Sequence, residues 1–173
     1  MIEAAIFVIF PFCMVFAAVS DLMSMTIQNR VSLLLVAGFA LIAPMTGMPW
    51  EAYGLHFLVM AAVLAFTFTL FALNVMGGGD AKLMAASALW MGPGMALVDY
   101  LFTATMLGGA LTLGLLLFRN SPLAIFAGRS IFTQHLADAS VGIPYGIALG
   151  AGGLLAFPAS PLMGWAMERL TAV

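Results

Sequence analysis

Two aspartates stand out in a chain that carries few charges. Asp21 follows a long apolar run, and Asp80 closes the string Asn74-Val75-Met76-Gly77-Gly78-Gly79-Asp80, with Lys82 two residues on. Only 7% of the 173 residues are charged, so each charge beside an apolar run needs a reason. A charged group in the apolar region of a membrane costs roughly 2.5–3.5 kcal/mol on insertion scales. A chain that keeps two such carboxylates either solvates them or uses them. If they approach to ~4 Å, their repulsion is about 4 kcal/mol at an effective dielectric of ~20. Such a pair shares one proton. The ionised member can then take a proton from water while the protonated member polarises a peptide carbonyl. A helix begins at Asp80 and another ends near Asp21. The helix dipole favours an anion at the first position and disfavours it at the second, which makes Asp80 the base and Asp21 the acid. That assignment is a hypothesis; titrating each carboxyl with the other changed to Asn would reject it if Asp21 were the more acidic.

The glycines before Asp80 interrupt what would otherwise read as continuous apolar helix. Glycine permits positive φ and lets another backbone come close. At membrane depth such a break is tolerated only where it lines protein or a wet cavity. Gly77, Gly78, Gly79 and Lys82 are therefore expected to form the loop around Asp80. The structural alternative is a helix-ending turn in which Asp80 simply caps the next helix. Lys82 either orients Asp80 or sits among lipid head groups.

These residues must be positioned by membrane helices. The chain is 64% hydrophobic with a mean hydropathy of +1.16. A soluble domain averages about 45–50% apolar and about 25% charged residues. The expected fold is all-α, a polytopic bundle of about six transmembrane helices, since the length allows six spans of ~20 residues. Residues 1–173 are expected to form one integral-membrane unit with no separate soluble domain. A net charge of −2 gives no nucleic-acid footprint. Cys13 is the single cysteine, so one chain builds neither a disulfide nor a cysteine zinc site. It reads as a small buried hydrophobe. No metal and no cofactor are expected. The N-terminus lacks the positive region of a cleaved signal peptide, so the first apolar run is expected to be retained.

In chain order, the expected spans are 2–20, 31–44, 54–76, 81–91 (extending as far as 98), 101–118 and 143–165. Trp50 and Tyr53 suit an interfacial aromatic belt. His56, at a helix end, reads as a solvated or capping residue. Gly92-Pro93-Gly94 interrupts the fourth span, and Asp99 and Tyr100 mark the next boundary. Gly108, Gly109 and Gly114 allow close helix packing in the fifth. Residues 119–142 hold Leu123, Ile125, Phe126, Ile131, Phe132 and Leu136 between Arg129, Gln134, His135 and Asp138, a pattern for an interfacial amphipathic helix. Asp138 and His135 are either substrate-side groups or part of a solvated loop. Alternating connections put Arg30, Lys82, Arg119 and Arg129 on one side and only Arg169 on the other. The positive-inside rule makes the first side cytoplasmic, and both Asp21 and Asp80 fall on it.

With the residues laid out, the chain resembles the type IV prepilin peptidases. Gly77-x-Gly79-Asp80 matches their Gly-x-Gly-Asp motif, and Lys82 fits the position after it. Asp21 followed by Ile27-Gln28-Asn29 resembles the family's first catalytic aspartate and its Ile-Pro-Asn-like sequel, with Gln28 where proline is common. Pro144-Tyr145-Gly146 resembles a late motif opening the last span. The resemblance implies an aspartic endopeptidase of the bacterial inner membrane, with Asp21 and Asp80 as the catalytic pair. It implies removal of the short basic leader of a prepilin or pseudopilin at the cytoplasmic face, just before the substrate's hydrophobic helix. Asn29, Pro144, Tyr145 and Gly146 would be structural or substrate-side residues. Partners would be that substrate and membrane lipid. Larger relatives carry a cytoplasmic cysteine-paired insertion that N-methylates the new terminus. This chain has none, which resembles the peptidase-only form of Flp/Tad pilus systems; an archaeal preflagellin peptidase would share these features.

A competing reading from another class is a small proton- or ion-coupled transporter, because intramembrane carboxylates beside broken helices also mark ion sites. A non-catalytic assembly subunit of a secretion apparatus is a third. The discriminating feature is depth. A peptidase needs both aspartates reachable from one face, whereas a transporter favours a midplane site.

Overall fold

The computed structural model describes residues 1–122, 124, 136, 138 and 142–171. The amphipathic pattern expected between 119 and 142, with His135 and Arg129, lies largely outside the described residues. Seven α-helices are described: α1 (Ile2–Ser24), α2 (Asn29–Met45), α3 (Trp50–Ala72), α4 (Gly78–Met91), α5 (Met95–Arg119), α6 (Tyr145–Ala156) and α7 (Pro161–Thr171). A 3-10 turn, Phe157–Ala159, joins the last two, which bend by 48° at the joint. Prolines 158 and 161 cause that bend, since neither has an N–H to continue the helix. The architecture is an all-α membrane helix bundle.

α1, α3 and α5 have the length and apolar character to cross a membrane, and the bent pair α6–α7 adds a fourth if taken as one span. α2 and α4 are shorter, at 17 and 14 residues. At 1.5 Å per residue α4 covers only about 21 Å, against a hydrocarbon core of about 30 Å. It does not have to match the bilayer, because protein surrounds it. Nine of its 14 residues are buried, and it packs against α2, α3, α5, α6 and α7. α3 is the opposite case, burying only His56 and Thr67 among 23 residues. Its exposed Leu58, Phe66, Phe68 and Phe71 are spread round the helix, a surface that suits lipid rather than water.

Trp90 on α4 is the centre of the core. Its indole N–H donates to the Leu35 carbonyl at 2.9 Å, and its ring meets Phe10, Phe39 and Phe157. At the same end of α4, His56 is not a solvated cap. It is buried, stacks on Phe39 and hydrogen-bonds the Leu89 carbonyl at 2.7 Å through Nδ1. Gly92 follows with φ +66°, and the His56 ring occupies the space where its Cβ would stand. The burial is possible because imidazole satisfies one of the carbonyls that every helix C-terminus leaves over.

Several helix ends differ from the sequence expectation. α1 runs on through Asp21 to Ser24, and α5 begins at Met95, so Asp99 and Tyr100 lie inside a helix. The interruption Gly92-Pro93-Gly94 is a turn between α4 and α5. Of the three α5 glycines, Gly108 packs against Tyr145 and Ala148, whereas Gly109 and Gly114 have open space beside them.

Candidate active site

The polar connections gather at one end of the bundle. Asp21 sits in the last turn of α1, buried at 5% exposure. A carboxylate there needs donors, and the chain supplies one from 125 residues away. The Gly146 N–H, in the first turn of α6, donates to Asp21 Oδ2 at 2.6 Å. Gly146 can come this close only because it lacks a side chain. A Cβ there would lie 2.7 Å from the Asp21 Cβ and 2.8 Å from Oδ2. The flanking residues fix the clamp. Pro144 is the buried N-cap of α6, and the Tyr145 hydroxyl pairs with Thr112 Oγ1 on α5 at 3.0 Å. Thus α6 is wedged between α1 and α5. Gly146, Gly150 and Gly153 face Asp21, Ala18 and Met14 of α1, while Gly152 faces Ala104 of α5.

Asp80 is the third residue of α4, whose N-cap is Gly77. Its carboxylate folds back over Gly77, where Oδ2 fills the space a Cβ on Gly77 would need. The glycines before it do not serve backbone conformation. Gly77 has φ −69°, and Gly78 and Gly79 are already helical. The positive φ in this link belongs to Asn74, at 57°. Asn74 ends α3 in a Schellman motif: Val75 N–H bonds the Leu70 carbonyl and Asn74 N–H the Phe71 carbonyl, each at 2.9 Å. The three glycines serve proximity. A Cβ on Gly77 would lie 2.7 Å from Asp80 Oδ2, one on Gly78 3.2 Å from the Phe71 ring, and one on Gly79 3.2 Å from the Ile27 Cβ. The last contact seats the start of α4 on the α1–α2 connection that follows Asp21.

A second tie joins the same segments. Lys82 Nζ donates to Asn29 Oδ1, at the first residue of α2, at 3.0 Å. Lys82 therefore makes no ion pair with Asp80. It faces the other side of α4 and braces α2. Asp21 and Asp80 are near enough that the charge of one acts on the other. Both sit against helix N-terminal N–H groups, Asp80 on α4 and Asp21 on α6. At Asp21 the N-terminal end of α6 thus acts against the C-terminal end of α1, on which the assignment of Asp80 as base and Asp21 as acid rested. Of the residues marked in the sequence, Gly146 touches Asp21, whereas Lys82 pairs with Asn29 and Tyr145 with Thr112. Asp138 has partners of its own, and Arg119 donates to the Leu136 and Gly142 carbonyls at 2.9 and 3.0 Å.

Sequence reasoning marked Gly146 without finding what it does. The signal was present: Gly146, Gly150 and Gly153 recur at i, i+4 and i+7, the spacing of a close helix seam. The Ile27–Gly79 contact and the Asn29–Lys82 bond carry no comparable pattern.

Residues 8–117 match the model of the type IV leader peptidase family. The chain belongs to the type IV leader peptidase family. The matched stretch holds both aspartates and the glycine loop and stops short of α6. No curated protein and no solved structure matches the chain. Membership implies a peptidase with a prepilin as substrate class, embedded in a membrane through its apolar helices.

Proposed function

We propose that this leader peptidase is an aspartic endopeptidase using Asp21 and Asp80, and that it cuts the basic leader from a Flp/Tad-type prepilin at the cytoplasmic face of the bacterial inner membrane. The observation that carries the reading is the convergence of two carboxylates from α1 and α4 at one end of the bundle, with Asp21 held by the Gly146 N–H. A site at one end is reachable from one face, which favours hydrolysis of a cytoplasmic segment over transport through a midplane site.

In the reaction, the ionised carboxylate takes a proton from water as the water oxygen bonds to the peptide carbon. The protonated carboxyl hydrogen-bonds the carbonyl oxygen, where negative charge develops. When the C–N bond breaks, the leaving nitrogen takes a proton from the pair, leaving a new carboxyl and a new amine. The Gly146 N–H holds the Asp21 carboxylate in place throughout, and the first turn of α4 carries Asp80. Gly78, Gly79, Lys82 and Asn29 shape and brace the loop, and Pro144 and Tyr145 seat the Gly146 clamp. The reading is of a peptidase-only enzyme, one membrane unit without N-methyltransferase activity.

The test is co-expression with a Flp-type prepilin, followed by gel mobility and N-terminal sequencing of the product. Wild type should remove the leader. Asp21→Asn and Asp80→Asn should each insert normally and lose about 10²–10⁴-fold in cleavage rate, the range for removing an acid–base group. Normal cleavage by either variant would sink the paired-carboxylate mechanism.

A further inference from the structure

Among the described residues, three of the apolar grooves that open sideways from the bundle differ in the charge of their walls. One, of about 350 Å³, lies between α2, α3 and α4 and has Lys82 and Asn29 in its wall. The second, of about 260 Å³, lies between α1 and α2 and has Arg30 in its wall. The third is a cleft on α4 between α3 on one side and α5 with α6 on the other. It consists of two adjoining cavities of about 510 and 460 Å³ that share Met76, Met84 and Thr105. Among the described residues, none that lines it is charged. Its threonine hydroxyls have partners within the protein: Thr67, Thr105 and Thr112 donate to the Val63, Leu101 and Gly108 carbonyls, and Thr112 also meets the Tyr145 hydroxyl.

Two wall residues of the cleft flank Asp80 in sequence. Met76 in its wall immediately precedes the Gly77–Asp80 loop. Met84, its floor, is four residues beyond Asp80 and so lies beneath it on one face of α4. Lys82 projects from the opposite face. Along α5 the cleft runs from Leu101 to Leu113, about 18 Å or three helical turns.

We propose that this cleft receives the hydrophobic helix of the substrate, with the bond to be cut lying over Met76 beside Asp80. The proposal rests on the leader-peptidase reading and adds the face of the bundle that the substrate uses. Charge complementarity selects the occupant. The resemblance gives a prepilin a basic segment directly before an apolar helix, and of the three grooves this one has no cation among its described lining residues, two of which, Met76 and Met84, flank Asp80 in sequence. The other two carry a cation at the rim, which repels a basic leader and suits a lipid phosphate.

The test is disulfide cross-linking in membranes, on a Cys13→Ala background. Single cysteines are placed in the cleft at Phe66, Gly109 or Leu113, in the Lys82 groove at Leu33, and in the Arg30 groove at Leu34. Each is paired with a prepilin carrying one cysteine scanned through the first three turns of its apolar helix. Cross-links confined to Phe66→Cys, Gly109→Cys and Leu113→Cys, with a helical period along the substrate, are expected. Cross-links at Leu33→Cys or Leu34→Cys that equal or exceed these overturn the cleft, as does the absence of any cross-link. Cleavage of the same prepilin by the Cys13→Ala enzyme is measured in parallel. Failure to cleave counts against the peptidase reading, whereas the cross-link pattern decides the groove without needing turnover.

Discussion

Gly146 makes the sharpest residue-scale prediction. Glycine to alanine in a helix interior ordinarily stabilises by up to about 1 kcal/mol. At Gly146 the sign reverses, because the new methyl would meet the Asp21 side chain at 2.7–3.0 Å. Overpacking of that kind costs about 1–3 kcal/mol. It also pushes Asp21 off its one identified backbone donor. Gly146→Ala should therefore unfold earlier in detergent and lose more than tenfold in leader cleavage. Gly114→Ala, in open space on α5, should keep both properties. Equal behaviour of the two variants would show that the clamp on Asp21 does not matter. At the far end of α4, Gly92→Ala combines a left-handed φ with a collision against the buried His56 ring. Strain at such a position costs about 1–3 kcal/mol. A loss of thermal stability in that range, measured in detergent, is the expected result.

Between elements, the Gly79–Ile27 contact and the Lys82–Asn29 bond do different amounts of work. Gly79→Ala puts a Cβ 3.2 Å from the Ile27 Cβ, and nothing in that junction is a flexible chain end. It should separate α4 from the α1–α2 connection and slow cleavage. Ile27→Gly should restore part of the loss, giving a coupling of about 0.5–3 kcal/mol in a double-mutant cycle; strict additivity would reject the contact as the cause. Lys82 is exposed, so Lys82→Met should cost no more than about 1 kcal/mol in stability. Helix existence was legible in the sequence because apolar runs are long and charges few. Helix ends were not, because neighbours set them. Asp21 reads as loop until a distant Gly146 N–H makes its place in α1 tolerable. His56 reads as solvated until the Leu89 carbonyl gives it a buried partner. The Gly77–Gly79 break was visible, but its reason was proximity rather than backbone freedom, and proximity belongs to the partner elements.

At the scale of the molecule, the bundle is built around a short helix that meets little lipid. α4 carries Asp80 at one end and Trp90 near the other, so the same rod that holds the core also places the carboxylate. Trp90 is fully buried, donates to the Leu35 carbonyl and touches rings from α1, α2 and the joint before α7. Trp90→Ala leaves a large cavity and removes the indole bond to the Leu35 carbonyl. Its cost should reach the upper part of the about 3–5 kcal/mol expected for Trp to Ala. Cleavage should fall with it, although Trp90 lies far along α4 from Asp80, because loosening one end frees the other. Accessibility gives an independent check on the central placement. On a Cys13→Ala background, Ser87→Cys on α4 should resist a membrane-permeant maleimide, whereas Phe68→Cys on α3 and Leu117→Cys on α5 should react readily, in keeping with their burial and exposure. Rapid labelling at Ser87→Cys would mean that lipid or water reaches the middle of α4, and the bundle would then have to open there.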